Sequence, residues 1–201
     1  AALGLKQTLI QAACLREGAT RDEFKAGCRS YLEKHGALKS LSQYKAPPNI
    51  QWNDETYRGD AYGTYAWGAY VAQVSVDLTT YEAQVEDFVA VQEVGRVVNP
   101  VLAAGQIEGG VAQGVGYALL ENVVYKDRRM INNQMTNYII PTAADAPPIR
   151  VFFSESPYAF GPGGAKGIGE LPLDGPAPAI LNAISDALGR SFNTIPLVPE
   201  R

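Results

Sequence analysis

Hydrophobic residues near the start of the chain recur at helical spacing. The first apolar series runs over residues 3–15 and stops at Gly18, a residue typical of a helix end. A second helix is predicted from Thr20 and Glu23, because their S/T-x-x-E spacing is that of a capping box. The apolar positions of this second helix continue on one face as far as His35. Two consecutive helices are therefore expected in this region.

The segment KAPPNIQW interrupts this helical pattern. Its two prolines cannot lie inside a helix, so the segment is interpreted as a linker into a different kind of structure. We accordingly predict a helical lead-in segment at residues 1–50 and a second part at residues 51–201.

Strand patterns follow the linker. Apolar residues alternate with small or polar residues over 65–77 and again over 83–94, which predicts an antiparallel hairpin. The later segment PPIRVFFSES is typical of a further strand.

Two further helices are predicted around this strand. One begins at Pro100, and its apolar positions again recur at helical spacing. The other, PAPAILNAISDALG, is opened by prolines and closed by Gly189. The order of elements predicts an α+β fold in which helices pack on an antiparallel sheet, rather than alternating βαβ units.

Glycines are unusually frequent in the helix that begins at Pro100. Each costs roughly 1 kcal/mol relative to alanine in a helix interior, so their retention predicts that another backbone or a cofactor approaches closely. The glycines concerned are Gly105, Gly109, Gly110, Gly114 and Gly116.

Composition narrows the class of protein. The chain has 201 residues, of which 46% are hydrophobic and 19% charged, enough for a buried core in a globular domain. A net charge of −4 with scattered Lys and Arg argues against a nucleic-acid partner. No stretch approaches the roughly 20 apolar residues of a membrane span, and the first residues do not resemble a secretion signal. We expect a cytoplasmic protein.

Histidine and cysteine content limits the possible chemistry. Cys14 and Cys28 lie in predicted helices and are interpreted as small buried hydrophobic residues. With His35 as the single histidine, a zinc cluster or a Ser-His-Asp triad within this chain is close to excluded. Chemistry must then use carboxylates, amides or a cofactor.

The stretch GGAKGIGELPLDG carries one carboxylate, Glu170, behind a run of glycines. The run lacks the spacing and the terminal Ser/Thr of a phosphate-binding P-loop. Pro172 is expected to prevent a helix directly after Glu170. Taken alone, Glu170 is interpreted as a solvated surface acid and Lys166 as solvent-facing. The aromatic residues Tyr62, Tyr65, Trp67 and Tyr70 are interpreted as core packing.

Three segments change this interpretation when they are taken together. DFVAVQEVGRVVNPVLAAGQIEGGVAQGVGYALLE, NYIIPTAADAPPIRV and GPGGAKGIGELPLDGPAPAILNAISDALG resemble, in order and spacing, signatures of the molybdenum hydroxylases, the xanthine dehydrogenase and aldehyde oxidase family. The resemblance implies the C-terminal part of the molybdenum-cofactor-binding subunit, with the α+β fold of the xanthine dehydrogenase type.

The resemblance also implies roles for individual residues. Glu170 would be the base that acts on the molybdenum-bound hydroxyl, and Gln106 would donate a hydrogen bond toward the apical oxygen of molybdenum. The loop formed by Lys166, Gly167, Ile168 and Gly169 would pass the pterin and the metal. No residue of this chain is implied as a metal ligand. A tight, poorly hydrated loop would raise the proton affinity of the Glu170 carboxylate.

One position departs from the pattern of the family. Where the motif before Asn99-Pro100 usually has aspartate, this chain has Glu93, which we expect to alter a local turn more than the chemistry.

The implied activity is the hydroxylation of an electrophilic carbon, in an N-heterocycle, a purine or an aldehyde, with water as the oxygen source. The implied cofactor is molybdenum-molybdopterin, with iron-sulfur clusters and FAD on partner subunits or domains. The implied partners are the N-terminal portion of the subunit, iron-sulfur and flavin subunits, and a small-molecule substrate, in an oligomer. The alternative is a non-catalytic module that keeps the fold for assembly or cofactor handling.

Overall fold

A computed structural model describes residues 2–12 and 18–200 of the chain. Two compact units are formed by residues 1–45 and 46–201. The boundary after residue 50, expected from the proline linker, stays a prediction.

The first unit contains helices α1 (Ala2–Ala12) and α2 (Arg21–His35). The predicted capping box is present at the start of α2: Thr20 Oγ1 accepts a hydrogen bond from the Glu23 backbone N–H at 3.3 Å, and the Thr20 N–H donates to Glu23 Oε2 at 2.7 Å. Cys28 is half-buried on this helix. Cys14, and the last part of the first predicted helix, lie outside the described residues.

The second unit contains seven strands and three helices in its described part. The strands are β1 (Trp52–Asn53), β2 (Arg58–Gly59), β3 (Trp67–Val76), β4 (Ala83–Glu93), β5 (Tyr125–Lys126), β6 (Arg129–Met130) and β7 (Ile149–Phe153). The helices are α3 (Pro100–Leu119), α4 (Leu171–Asp174) and α5 (Pro176–Leu188), with a 3-10 turn at Pro162–Gly164.

The main sheet has the order β3-β4-β7. β3 and β4 form the predicted antiparallel hairpin, with Trp67 opposite Glu93 and Val76 opposite Ala83. β7 joins β4 in parallel, a detail that the sequence pattern did not predict. A parallel neighbour needs a long crossover connection, and α3 lies in that connection.

The predicted helices of this unit are confirmed. At the start of α3, Asn99 Oδ1 accepts a hydrogen bond from the Leu102 N–H at 3.1 Å. At the end of α5, Gly189 adopts a left-handed conformation with φ of 62°, as helix-terminating glycines do.

The expectation that Pro172 prevents a helix directly after Glu170 is wrong. The short helix α4 begins at Leu171 and carries Pro172 in its first turn. Proline is tolerated there because the N–H that it lacks would have no partner inside the helix.

The core lies between one face of the main sheet and helices α3 and α5. Its buried hydrophobic side chains are Val85, Phe88, Ala90, Ile107, Val111, Val115, Ala118, Ala177, Ile180, Leu181 and Ile184. Side chains that alternate with these along the strands point the other way, and three of them, Trp67, Val71 and Phe152, are exposed by 69%, 65% and 53%. No helix in the described part of the chain is both long and apolar enough to span a bilayer.

The aromatic residues predicted to pack in the core behave differently from one another. Tyr62, Tyr65 and Trp67 are exposed, so the prediction is wrong for these three. Tyr70 is partly buried against the core, with its ring centroid 6.2 Å from that of Phe88. Strand alternation explains the difference along β3, because residues 67 and 70 lie on opposite faces of the sheet.

Candidate functional site

The glycine-rich loop at residues 161–170 lies against the end of β4. Ala165 forms an antiparallel bridge with Gly95. On either side of this bridge, the Arg96 N–H donates to the Gly164 carbonyl at 2.8 Å and the Lys166 N–H donates to the Val94 carbonyl at 2.8 Å. Gly95 has a φ of +71°, and a Cβ at this position would overlap the Gly164 carbonyl. Glycine at position 95 is therefore required by both conformation and space.

An ion pair reinforces this backbone pairing. The Lys166 ammonium donates to Glu93 Oε2 at 2.5 Å and to the Tyr65 carbonyl at 2.8 Å. The Lys166 and Glu93 side chains are exposed by 9% and 14%. Glu93 Oε1 also accepts the Gly95 N–H at 2.8 Å. The effect expected of Glu93 on the local turn stays a prediction, and the ion pair is a contact that the sequence did not reveal.

Three of the predicted site residues, Gln106, Lys166 and Ile168, line one open cavity of about 310 Å³. The other residues around this cavity are Val94, Arg96, Val97, Val98, Asn99, Leu102, Ala103 and Ala165. The cavity lies where the glycine-rich loop meets the first turns of α3. The structure therefore brings together residues that are about sixty positions apart in the sequence.

The other predicted site residues lie just beyond this cavity. Gly167 and Gly169 are exposed in the loop, and Glu170 is exposed immediately before α4. The poorly hydrated environment expected for the Glu170 carboxylate is not found in this structure, because the described part of this chain leaves the residue open to solvent.

Tyr70 anchors the chain just after Glu170, a contact that sequence reasoning missed. Its hydroxyl donates to the Leu171 carbonyl at 2.6 Å and lies 3.4 Å from Gln92 Oε1. Burial raises the pKa of Tyr70, an effect partly offset by the hydrogen bond with Gln92. Gln92 is fully buried, and its Nε2 has no hydrogen-bond partner among the described residues. The sequence predicted core packing for Tyr70 as one of a run of aromatic residues, but it did not predict the bond to Leu171.

A larger open cavity of about 710 Å³ lies between α3, α5 and the segment that follows α5. Its lining includes Tyr117, Glu121, Asp174, Asn182 and Phe192. None of the predicted site residues lines this cavity.

Comparison with known proteins identifies the family. A sequence model described as the molybdopterin cofactor-binding domain matches residues 4–147. The chain belongs to this family. The predicted resemblance and the predicted molybdenum-pterin cofactor are therefore confirmed at the level of the family.

Individual relatives agree with this assignment. The chain is 33% identical over 138 residues to the putative xanthine dehydrogenase molybdenum-binding subunit of Escherichia coli (strain K12), covering 68% of this chain and 18% of that protein. It is 31% identical over 193 residues to the aldehyde oxidoreductase of Megalodesulfovibrio gigas, covering 94% of this chain and 20% of that protein. Because so much of the chain is aligned, residues 161–170 lie inside this second match.

A solved structure supports the fold. Quinoline 2-oxidoreductase from Pseudomonas putida 86 superposes with a TM-score of 0.65 at 40% identity, covering 68% of this chain and 18% of that protein. The α+β fold of a molybdopterin-binding subunit is thus confirmed. The chain spans about a fifth of the length of the curated relatives that it matches.

The residues around the smaller cavity have the hydrogen-bonding groups and the positive charge that a molybdopterin group would need. Gln106 offers an amide that donates and accepts hydrogen bonds, and Arg96 offers a cation that suits an anionic phosphate. Gly109, three residues after Gln106 on α3, has nothing within 4 Å of the position of a Cβ in the described part of the chain. No group of His, Cys, Asp and Glu among the described residues has the arrangement of a metal site. These side chains are of a kind that suits the organic part of such a cofactor.

Proposed function

We propose that this chain is part of the molybdenum-binding subunit of a molybdenum hydroxylase. The reaction is the oxidation of an electrophilic carbon, in an N-heterocycle, a purine or an aldehyde, with water as the source of oxygen. The observation that carries the proposal is the placement of Gln106, Lys166 and Ile168 around one cavity, with Glu170 two residues beyond Ile168. The match to the molybdopterin cofactor-binding domain supports it.

In this proposal Gln106 and the loop Lys166–Gly169 form one wall of the cofactor site. The cofactor, when bound, supplies the two-electron oxidation of the substrate carbon. Gln106 donates a hydrogen bond from its amide into the site and so helps to orient the group held there. Gly167 and Gly169 carry no side chain, and the backbone of the loop is free to approach a ligand closely.

Glu170 is the proposed general base. Its carboxylate takes up the proton released as an oxygen derived from water attacks the substrate carbon. A base works best when its proton affinity is raised toward the working pH, and burial of a carboxylate has that effect. Since Glu170 is exposed in this structure, we propose that other polypeptide covers it in the assembled enzyme.

The covering polypeptide is proposed to be the remainder of the same subunit. This inference rests on the short span of the chain relative to its relatives and on the exposed sheet face at Trp67, Val71 and Phe152. Electrons would leave through iron-sulfur and flavin subunits or domains, and the E. coli relative is itself named as one subunit of a dehydrogenase. A cytoplasmic location and an oligomeric assembly stay predictions.

The test is the Glu170→Gln substitution in the assembled enzyme. Glutamine keeps the size and the hydrogen-bonding capacity of the side chain but cannot accept the proton at neutral pH. We expect turnover to be abolished while the molybdenum content stays near that of the unsubstituted enzyme. Glu155→Gln is a matched control, because Glu155 is an exposed glutamate of the same unit, and it should leave turnover unchanged.

The alternative, a non-catalytic module for assembly or cofactor handling, predicts a different outcome. An assembled complex that contains molybdenum and turns over substrate equally well with Glu170→Gln would remove Glu170 from the mechanism. A complex that neither holds molybdenum nor oxidises aldehydes, purines or N-heterocycles would favour the non-catalytic module.

A further inference from the structure

We infer that Lys166 is a positioning residue. Its ion pair with Glu93 holds the glycine-rich loop, which ends at Glu170, on the end of β4. This inference rests on the proposed function for the importance of Glu170, but the contacts themselves do not depend on it. The motif predicted a direct role for Lys166 at the cofactor, whereas the structure directs its ammonium toward Glu93 Oε2 and the Tyr65 carbonyl.

The degree of burial makes this ion pair more than a surface contact. Lys166 and Glu93 are exposed by 9% and 14%, whereas the Asp87–Arg150 pair, which also begins on β4, has side chains exposed by 27% and 58%. Exposed pairs contribute little because water screens them. Removal of one partner from a mostly buried pair leaves an uncompensated charge and is strongly destabilising. The Lys166–Glu93 pair is therefore the one expected to hold its surroundings in place.

The ion pair is continuous with the backbone contacts of the loop. Glu93 Oε1 accepts the Gly95 N–H, and Gly95 forms the bridge to Ala165, the residue before Lys166. One carboxylate thus holds both the turn after β4 and the lysine of the loop. Loss of the carboxylate would release the two segments together.

A second anchor lies on the other side of Glu170. The Tyr70 hydroxyl donates to the Leu171 carbonyl at 2.6 Å, so residues 167–170 run between a fixed point at Lys166 and a fixed point at Leu171. A span of four residues held at both ends has few conformations, even though two of its residues are glycines. The position of the carboxylate is then set mainly by the two anchors.

The experiment is a double-substitution cycle of Glu93→Gln and Lys166→Met, with Asp87→Asn and Arg150→Met as the control cycle. The first readout is amide hydrogen exchange of Arg96 and Lys166, whose N–H groups pair the loop with β4. Each single substitution at the Lys166–Glu93 pair should accelerate exchange at least about tenfold. The double variant should be no faster than the single ones, and the control cycle should leave these amides unchanged.

The second readout is steady-state kinetics of the assembled enzyme with its molybdenum content. Misplacement of a base costs transition-state stabilisation, so kcat should fall about 10–100-fold while KM changes little and molybdenum is retained. Glu93→Asp preserves the charge and should keep most of kcat and of the exchange protection. Lys166→Arg keeps the positive charge but changes the shape of the cationic group. We expect its kcat and exchange protection to lie between those of the unsubstituted enzyme and those of Lys166→Met.

Two outcomes would overturn the inference. Unchanged exchange in all variants would show that the ion pair does not hold the loop, whatever the kinetics. Loss of molybdenum with Lys166→Met but not with Glu93→Gln would show that Lys166 contacts the cofactor directly. Failure of the proposed function is a separate result: in that case Glu170→Gln retains turnover, while the exchange measurements still report on the ion pair.

Discussion

Glycines lie on two faces of α3, and their surroundings differ between these faces. On the inward face, Cβ atoms at Gly110 and Gly114 would lie 2.6 Å from the rings of Pro172 and Pro176. On the outward face, Gly105 and Gly109 have nothing within 4 Å in the described part of the chain. The close approach predicted from the glycines is confirmed on the inward face. On the outward face, nothing in the described part of the chain explains why these two positions are glycine. We propose that the cofactor or other polypeptide approaches this face closely.

This difference shows that the structure of the chain explains only part of its sequence. The inward glycines let α4 and α5 pack directly on α3, and so they place the residues that follow Glu170. The outward glycines lower helix stability by roughly 1 kcal/mol each relative to alanine, and a Cβ at either position would meet open space among the described residues. This loss of helix stability would be offset if the outward face contacts a group outside this chain.

The largest effect is expected from Gly114→Leu. A side chain at this position must displace Pro176 at the start of α5, so overpacking should lower the free energy of unfolding by about 2–3 kcal/mol. Denaturant unfolding of the chain measures the change. Gly105→Leu is the matched control on the outward face and should not destabilise the chain. Equal stability of the two variants would contradict the difference between the faces.

Tyr70→Phe tests how firmly β3 holds the start of α4, the helix that packs on the inward face of α3. Loss of the hydrogen bond to the Leu171 carbonyl should lower the free energy of unfolding by about 0.5–1.5 kcal/mol. Tyr125→Phe, which changes an exposed tyrosine, should have no measurable effect.

The Tyr70→Phe substitution should also change how the free energy of unfolding depends on pH. Burial raises the pKa of Tyr70 above its ordinary value of 10.0, so the neutral phenol is favoured in the folded state. Its contribution to stability is complete below pH 10.0 and is lost as the pH rises through the folded-state pKa. Unfolding free energies measured across this alkaline range should decline less steeply for Tyr70→Phe than for the unsubstituted chain. Parallel curves would show that the phenol is not desolvated.

The smallest effect on stability, and of opposite sign, is expected from Gly109→Ala. Alanine is the better helix former, and the added methyl group meets open space, so the free energy of unfolding should rise by about 0.5–1 kcal/mol. If the outward face receives the cofactor, the same variant should lower the molybdenum content of the assembled enzyme. A stabilised chain with full molybdenum content would remove the cofactor as the reason for this glycine.

Local elements of the fold were predictable because their signals lie within a few residues of one another. The capping box of Thr20 and Glu23, the alternation along β3 and β4, and Pro100 at the start of α3 each specify an element without reference to the rest of the chain. The prediction failed at Pro172, where the residue alone indicated a helix break and the structure has a helix start. It failed also for Trp67, because strand alternation does not say which face of a sheet is covered.

Candidate site residues were found through motifs rather than through their contacts. The motifs indicated Gln106 and the segment around Glu170, and the structure places Gln106, Lys166 and Ile168 around one cavity. The role of each residue stays a prediction. The partner of Lys166 could not be predicted, because Glu93 is 73 positions away and its replacement of an aspartate suggested only a change of turn.

The sequence by itself determined the four longer helices α1, α2, α3 and α5, the hairpin and the family, since each depends on periodicity, capping residues or a motif that is continuous along the chain. The tertiary structure alone decided that β7 joins β4 in parallel, that Tyr70 bonds to Leu171, and that Lys166 is held by Glu93. These contacts join residues far apart in sequence, so the segments that carry them meet only in the folded chain. Hydrogen bonds and ion pairs act over a few ångströms, so their partners are set by the folded chain rather than by local pattern.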